Sequence, residues 1–252
     1  MKNLLDMHTH TVASGHAYST IQEMAAAAGA CGLEFLGITE HAPKMPGTCQ
    51  EIYFNNLKVV PRYLSGVRLL LGSELNLIAD GSVDLPESIL EVMDINIASM
   101  HWPFMPHISE EETTKAVIAA MENPYVNIIG HPDDGRYPLD YERVVKAAKE
   151  THTLLEVNNN SLNPAGFRPN ARENDRKMLE LCKLYEVPVI LDSDAHFSAA
   201  VGQLPYALPL IEEVGFPEHL IANAHPELLW QCLRHKKNRS GFLKNVLDTN
   251  EG

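Results

Sequence analysis

A chain of 252 residues, 45% of them hydrophobic, can bury one large core and has the size at which α/β barrels fold as one domain. Its formal net charge of −13 disfavours long nucleic acids as partners, although bound divalent cations could make a cleft locally positive and admit a small anion. No apolar run is long enough to span a bilayer, and the opening Met1 to Asp6 turns polar too soon for a signal peptide, so a cytoplasmic protein without a membrane partner is expected. Cys31, Cys49, Cys182 and Cys232 are scattered without a CxxC pair and read as free thiols.

Short apolar runs alternate with longer amphipathic stretches, the pattern of repeated βα units and a mainly parallel sheet. The first strand is expected at 3–8, followed by an alanine-rich helix at 20–31 with Ser19 or Thr20 as N-cap and Gly32 near its end. Strands then follow at 34–39, 68–77, 95–99, 126–130, 154–158 and 188–192, which makes seven. Helices are expected at 51–64, 109–121, 139–150, 173–185, 206–214 and 226–236. No repeat or linker divides the chain, so one domain over 1–237 and a polar tail over 238–252 are expected. Alternation by itself leaves a closed barrel and an open doubly wound sheet as alternatives.

Ligand-type side chains gather at the C-terminal ends of these strands, where α/β folds build their sites. The first strand runs into Asp6-Met7-His8-Thr9-His10, and strand alternation lets His8 and His10 share one metal. His16 follows a short loop, and His41 closes the second strand. Glu74 is a carboxylate inside an apolar run, costly to bury unless something such as a metal compensates it. His101, His131 and the pair Asp194 and His196 end the fourth, fifth and seventh strands. A lone histidine is more often a satisfied surface or core group than a ligand, and His107, His152, His219, His225 and His235 are read that way. The other candidates are too many for one ion and imply two or three divalent metals, zinc first, with manganese or iron as alternatives.

In order and spacing these residues resemble the polymerase and histidinol phosphatase (PHP) superfamily, with its HxH opening, isolated Glu, single histidines and closing DxH. The resemblance runs from Asp6 to His196, and within the superfamily the chain looks most like the YcdX-type stand-alone phosphatases. It implies a distorted (βα)7 TIM-like barrel with a trinuclear site. By the same resemblance His8, His10, Glu74 and Asp194 hold one ion, Glu74 bridges to a second bound by His101 and His131, and His16, His41 and His196 hold the third. Two positions depart from the family pattern: Glu40 where Asp is commoner, and Asp192 where Gly often stands. Asp192 could compete as a ligand or orient an imidazole, and Asp6 could do the latter.

Clustered cations favour in-line hydrolysis of a small phosphomonoester by a metal-activated hydroxide, with no catalytic side chain beyond the metal ligands. There is no Gly-x-Ser-x-Gly elbow and no Walker-type loop. Arg168 and Arg172 are candidates to clamp the substrate phosphate, against the reading that both are solvated surface groups. An amidohydrolase-type barrel also opens with HxH, but His16, His41 and the closing DxH fit it poorly. A PHP-type nuclease or phosphodiesterase and a non-catalytic metal-binding regulatory module are the remaining alternatives. The sequence is compatible with a homo-oligomer.

Overall fold

The computed structural model describes residues 1–102, 104–106 and 109–235; His107 and the expected tail 238–252 lie outside the described residues. Eight strands form one sheet: β1 (Leu5–Asp6), β2 (Phe35–His41), β3 (Tyr63–Leu64), β4 (Val67–Asn76), β5 (Ile95–Ser99), β6 (Ile128–Gly130), β7 (Leu154–Asn158) and β8 (Val189–Asp192). The order β1-β2-β4-β5-β6-β7-β8 is parallel throughout and follows the sequence with no switch point. A parallel bridge between Thr9 and Ala195 brings the two ends together, so the sheet is a nearly closed barrel and not a doubly wound sheet.

Among the described residues eight helices pack against it: α1 (Ile21–Ala30), α2 (Glu51–Asn56), α3 (Glu87–Leu90), α4 (Glu110–Glu122), α5 (Tyr141–Thr151), α6 (Ala171–Tyr185), α7 (Ala207–Val214) and α8 (Glu227–His235). Capping boxes fix the starts of α1, with Thr20 and Glu23, and α4, with Ser109 and Glu112, by satisfying backbone N–H groups that the helix leaves open. The helix expected at 51–64 is a correction. It stops at Asn56, and Tyr63–Leu64 instead forms a hairpin with β4 through Ser65 and Gly66, both at positive φ as a two-residue hairpin turn requires.

Along each strand every second residue faces the barrel interior, and polarity changes from one end to the other. Leu70, Ile95, Ile97, Ile128, Leu154 and Ile190 fill the lower interior. There α8 inserts Leu229, Trp230 and Leu233, with the Trp230 ring edge-on to Phe35 at the start of β2. Two or four residues further along the same faces stand Glu74, His101, Glu156 and Asp192. The apolar end is therefore closed by a helix, and the polar end is left to the connecting loops.

The seam between β1 and β8 is closed by carboxylates. Regular pairing of β1 with β2 ends at Asp6, earlier than the expected 3–8. Beyond it Met7 N donates to Asp192 Oδ1 at 2.5 Å, while Asp6 accepts from Ser193 N at 3.1 Å, Ser193 Oγ at 2.5 Å and Gly202 N at 2.8 Å. At this break β2 must come close, and a Cβ at Gly37 would lie 2.2 Å from Met7 O. Asp6 and Asp192 thus tie strands together and orient no imidazole.

Candidate metal centre

The structure brings all nine candidate ligands to the polar end of the barrel. His8 and His10 follow β1, His41 ends β2, and Glu74 stands near the end of β4. His101 and His131 follow β5 and β6, and Asp194 and His196 follow β8. His131 comes directly after Gly130, which faces inward, so continued alternation would turn it out of the barrel; its backbone at φ 31° turns it back. Asp194, at φ 53°, sits in a similar left-handed conformation. His16 arrives from a turn at Gly15 and meets His41 with Nε2 to Nε2 at 3.1 Å. Of the other histidines, His152 caps the C-terminus of α5 and His225 pairs with Glu227, both outside the cluster.

Glu74 is the centre of the arrangement. Oε1 lies 3.3 Å from His8 Nε2, 3.1 Å from His101 Nε2 and 3.0 Å from His131 Nε2. Oε2 lies 3.4 Å from His10 Nε2 and 2.7 Å from His41 Nδ1. Asp194 Oδ1 is 3.8 Å from His8 Nε2 and 3.5 Å from His10 Nε2. Five imidazoles exceed the roughly four lone-pair sites of a carboxylate. His8 Nε2, His10 Nε2, His41 Nδ1 and Glu74 Oε2 are buried without a well-aligned hydrogen bond.

The opposite edges of four of the rings are committed elsewhere. His8 Nδ1 meets Glu156 Oε1 at 2.7 Å, and His101 Nδ1 meets Asn76 Oδ1 at 2.9 Å. His196 Nδ1 meets the Asp194 carbonyl at 2.9 Å. Ser14 Oγ donates its proton to Glu40 Oε2 and so accepts from His10 Nδ1 at 3.1 Å. Each contact places the ring proton on Nδ1 and leaves the Nε2 lone pair aimed at the cluster, the arrangement that outer partners impose on metal-ligating histidines. Donors about 2.0–2.1 Å from a tetrahedral ion would stand about 3.3–3.4 Å apart, which matches most of these separations. His8, His10 and Asp194 could hold one ion; His10, His41 and His196, or His41, Glu74 and His101, form further groups.

Electrostatics favour the same ligand states. Burial raises Glu74 and Asp194, yet His101, His8 and His41 around the first and His8 and His10 around the second hold both well below the usual carboxylate range. Burial, reinforced by His41, pushes His10 well down, and burial lowers His16 and His101. His8 is the exception: burial opposes its charge, but Glu156, Glu74 and Asp194 outweigh burial and raise it. Ionised carboxylates and neutral imidazoles are the forms that bind cations, so an ion bound beside His8 would take the place of the proton that its acidic neighbours favour.

Glu156 was not among the sequence candidates. Besides His8 it accepts from His131 N at 2.6 Å and Asn158 Nδ2 at 3.0 Å, so one fully buried carboxylate fixes two of the nine side chains. The same signal that marked Glu74, an acid inside an apolar strand, marks Glu156 in Leu154-Leu155-Glu156-Val157. Behind it lie Asp133 and Asp175, both fully buried; neither oxygen of Asp175 has a hydrogen-bond partner. Burial, and then the Asp133 charge, pushes Asp175 well above the usual range. An acid with a raised folded pKa keeps its proton when the unfolded chain has lost it, so stability falls as pH rises from about 4 to the raised value. Asp175→Asn should therefore flatten the decline in unfolding free energy as pH rises above the ordinary carboxylate range, read by denaturant unfolding across a pH series. An unchanged slope would contradict this.

A cavity of about 520 Å³ opens over the cluster, lined by His16, His41, Glu74, His101, Asp194 and His196 together with Arg168, Arg136, Phe167 and Trp102. The two expected arginines part company. The Arg168 side chain, 8% exposed, donates to Ser161 Oγ at 2.8 Å and to Asp194 Oδ2 at 3.3 Å, while its Nε makes no hydrogen bond and lies 4.0 Å from Asp134 Oδ2. Arg172, on the first turn of α6, ion-pairs with Glu213 of α7, as does Arg176 one turn later, so the structure turns it away from the cavity where it was expected. Arg136, held by Asp134, takes the second place in the cavity.

The PHP domain model matches residues 6–168. The chain belongs to the PHP domain family. That match carries seven of the nine side chains, with Asp194 and His196 beyond its end. Curated relatives span nearly the whole chain. One, from Clostridium novyi (strain NT), is 44% identical over 98% of this chain and 99% of its own length; another, from Thermoanaerobacter sp. (strain X514), is 44% identical over 96% and 98%. Both are named "Probable phosphatase". A solved structure with the same fold is histidinol phosphate phosphatase from Lactococcus lactis in complex with zinc, L-histidinol and phosphate. Its TM-score is 0.60 at 18% identity, covering 85% of this chain and 95% of that one.

Proposed function

We propose that this PHP protein is a metal-dependent phosphatase that hydrolyses small phosphomonoesters at a cluster of three divalent ions. The observation that carries the proposal is the contact of one carboxylate, Glu74, with five imidazoles whose other edges are mostly committed elsewhere. His8, His10, Glu74 and Asp194 would hold one ion. Glu74 Oε1 faces His8 together with His101 and His131, so the carboxylate reaches donors of the first ion and of a second that His101 and His131 would hold, which suits a bridge. His16, His41 and His196 would hold the third. Imidazole-rich sets suit zinc, which the Lactococcus lactis enzyme carries, with manganese or iron as alternatives. When bound, such ions supply Lewis acidity, lowering the pKa of water and neutralising charge on the phosphate oxygens and leaving alkoxide.

The remaining steps belong to the side chains. Arg168, anchored by Ser161 and Asp194, presents a buried guanidinium whose planar donors fit a phosphate oxygen pair. Arg168→Ala should lower kcat/KM for p-nitrophenyl phosphate by about 10–100-fold with metal content retained, since hydrogen bonds to charged groups are worth about 1.5–3 kcal/mol. Lys at this position should recover little, because it lacks the planar fork. Arg172→Ala should leave kcat/KM unchanged. Equal kcat/KM for wild type and Arg168→Ala would remove Arg168 from the reaction.

A further inference from the structure

Among the described residues, the exposed phenylalanines and tryptophan are not scattered over the surface. Trp102 and Phe167, each 69% exposed, line the mouth of the metal cavity, and Phe197, 55% exposed, lines the neighbouring cavity that shares Asn160, Asp194 and His196 with it. The other tryptophan, Trp230, is buried in the barrel floor. Phe167 is held in place by two guanidiniums, with Arg136 at 5.2 Å and Arg168 at 5.3 Å from its ring centroid. Large apolar rings fixed at the rim of a polar site remain exposed unless a ligand covers them. A cavity of about 520 Å³ also leaves ample room beyond a phosphoryl group on the ligand cluster.

We propose that Phe167 and Trp102 form a stacking platform for a planar heteroaromatic ring in the leaving group, so that ring-bearing phosphomonoesters such as nucleoside monophosphates are preferred over ring-free sugar and polyol phosphates. This inference rests on the phosphatase reading. The rings supply π-faces, and Arg136, already neutralised by Asp134, adds rigidity to Phe167 more than free charge. Arg168 touches both Phe167 and Asp194, so a phosphate near the cluster and a ring over Phe167 can belong to one molecule.

Adenosine 5′-monophosphate and ribose 5-phosphate test this directly, because both leave from the same ribose hydroxyl and only the first carries a base. The expected kcat/KM ratio favours the nucleotide by roughly 5–100-fold, the range that aromatic stacking of one base confers. Phe167→Ala should bring the ratio towards one, and Phe167→Tyr should keep it, with metal content and circular dichroism as checks on folding. Adenosine, which carries no phosphate, should also quench Trp102 fluorescence where ribose does not, and Phe167→Ala should weaken that binding. A ratio near one in the wild type together with no quenching overturns the platform while leaving the phosphatase reading intact. Quenching by adenosine without turnover of either phosphate supports the platform and counts against the phosphatase reading.

Discussion

Glu74→Ala is expected to remove more than one equivalent of bound metal and to lower kcat by at least about 10²–10³-fold, the scale of losing one preorganised electrostatic group. The carboxylate is buried, within 3.4 Å of five imidazole nitrogens, and its two oxygens face different subsets of them. Truncation to alanine takes a ligand atom from more than one ion and leaves the imidazoles facing one another without a counter-charge. Metal analysis of purified variant and wild type, with kcat for p-nitrophenyl phosphate on the same samples, reads both effects. Loss of one equivalent or none would refute the bridge, even if activity fell.

Glu156→Gln should weaken metal binding or activity by about 10–100-fold, although Gln has nearly the same shape and touches no ion in this account. Three donors converge on this carboxylate: His8 Nδ1, His131 N and Asn158 Nδ2. An amide offers one acceptor oxygen and turns an NH2 group towards a second donor, so either His8 or the backbone of His131 loses its partner inside a dry site. His8 would then be free to take the other tautomer and withdraw its Nε2 lone pair from the cluster. Titration of chelated protein with zinc measures the change in affinity; wild-type binding in the variant would show that Glu156 does not position His8.

The alternation of short apolar runs with amphipathic stretches made a parallel α/β sheet legible, because parallel strands buried on both faces and helices packed on one face leave different periods in the sequence; closure into a barrel was implied only by the PHP resemblance. The ligand cluster was legible for a related reason: His8, His10, His41, His101 and His131 are costly or rare residue types falling at strand ends, and Glu74 interrupts an apolar strand. Ser14 and Asn76 carried no such signal. Both are common polar residues, and their role arises only when the fold sets them against His10 and His101. Direction was equally hidden. Arg168 and Arg172 lie four residues apart, but the first precedes α6 and turns into the cavity, while the second is on the helix and faces Glu213. The Ser65-Gly66 turn could have been read from its residues, yet the amphipathic pattern of 51–64 outweighed it. The exchange of carboxylates across the β1–β8 seam joins residues nearly 190 positions apart, which no local pattern reports.

The most direct test is the metal content of the purified protein by plasma mass spectrometry, coupled to p-nitrophenyl phosphate hydrolysis before and after chelation. Two to three equivalents of zinc, manganese or iron, with activity lost on chelation and restored by added metal, is the predicted result. One equivalent or none, with no turnover regained on adding metals, would contradict the multinuclear phosphatase.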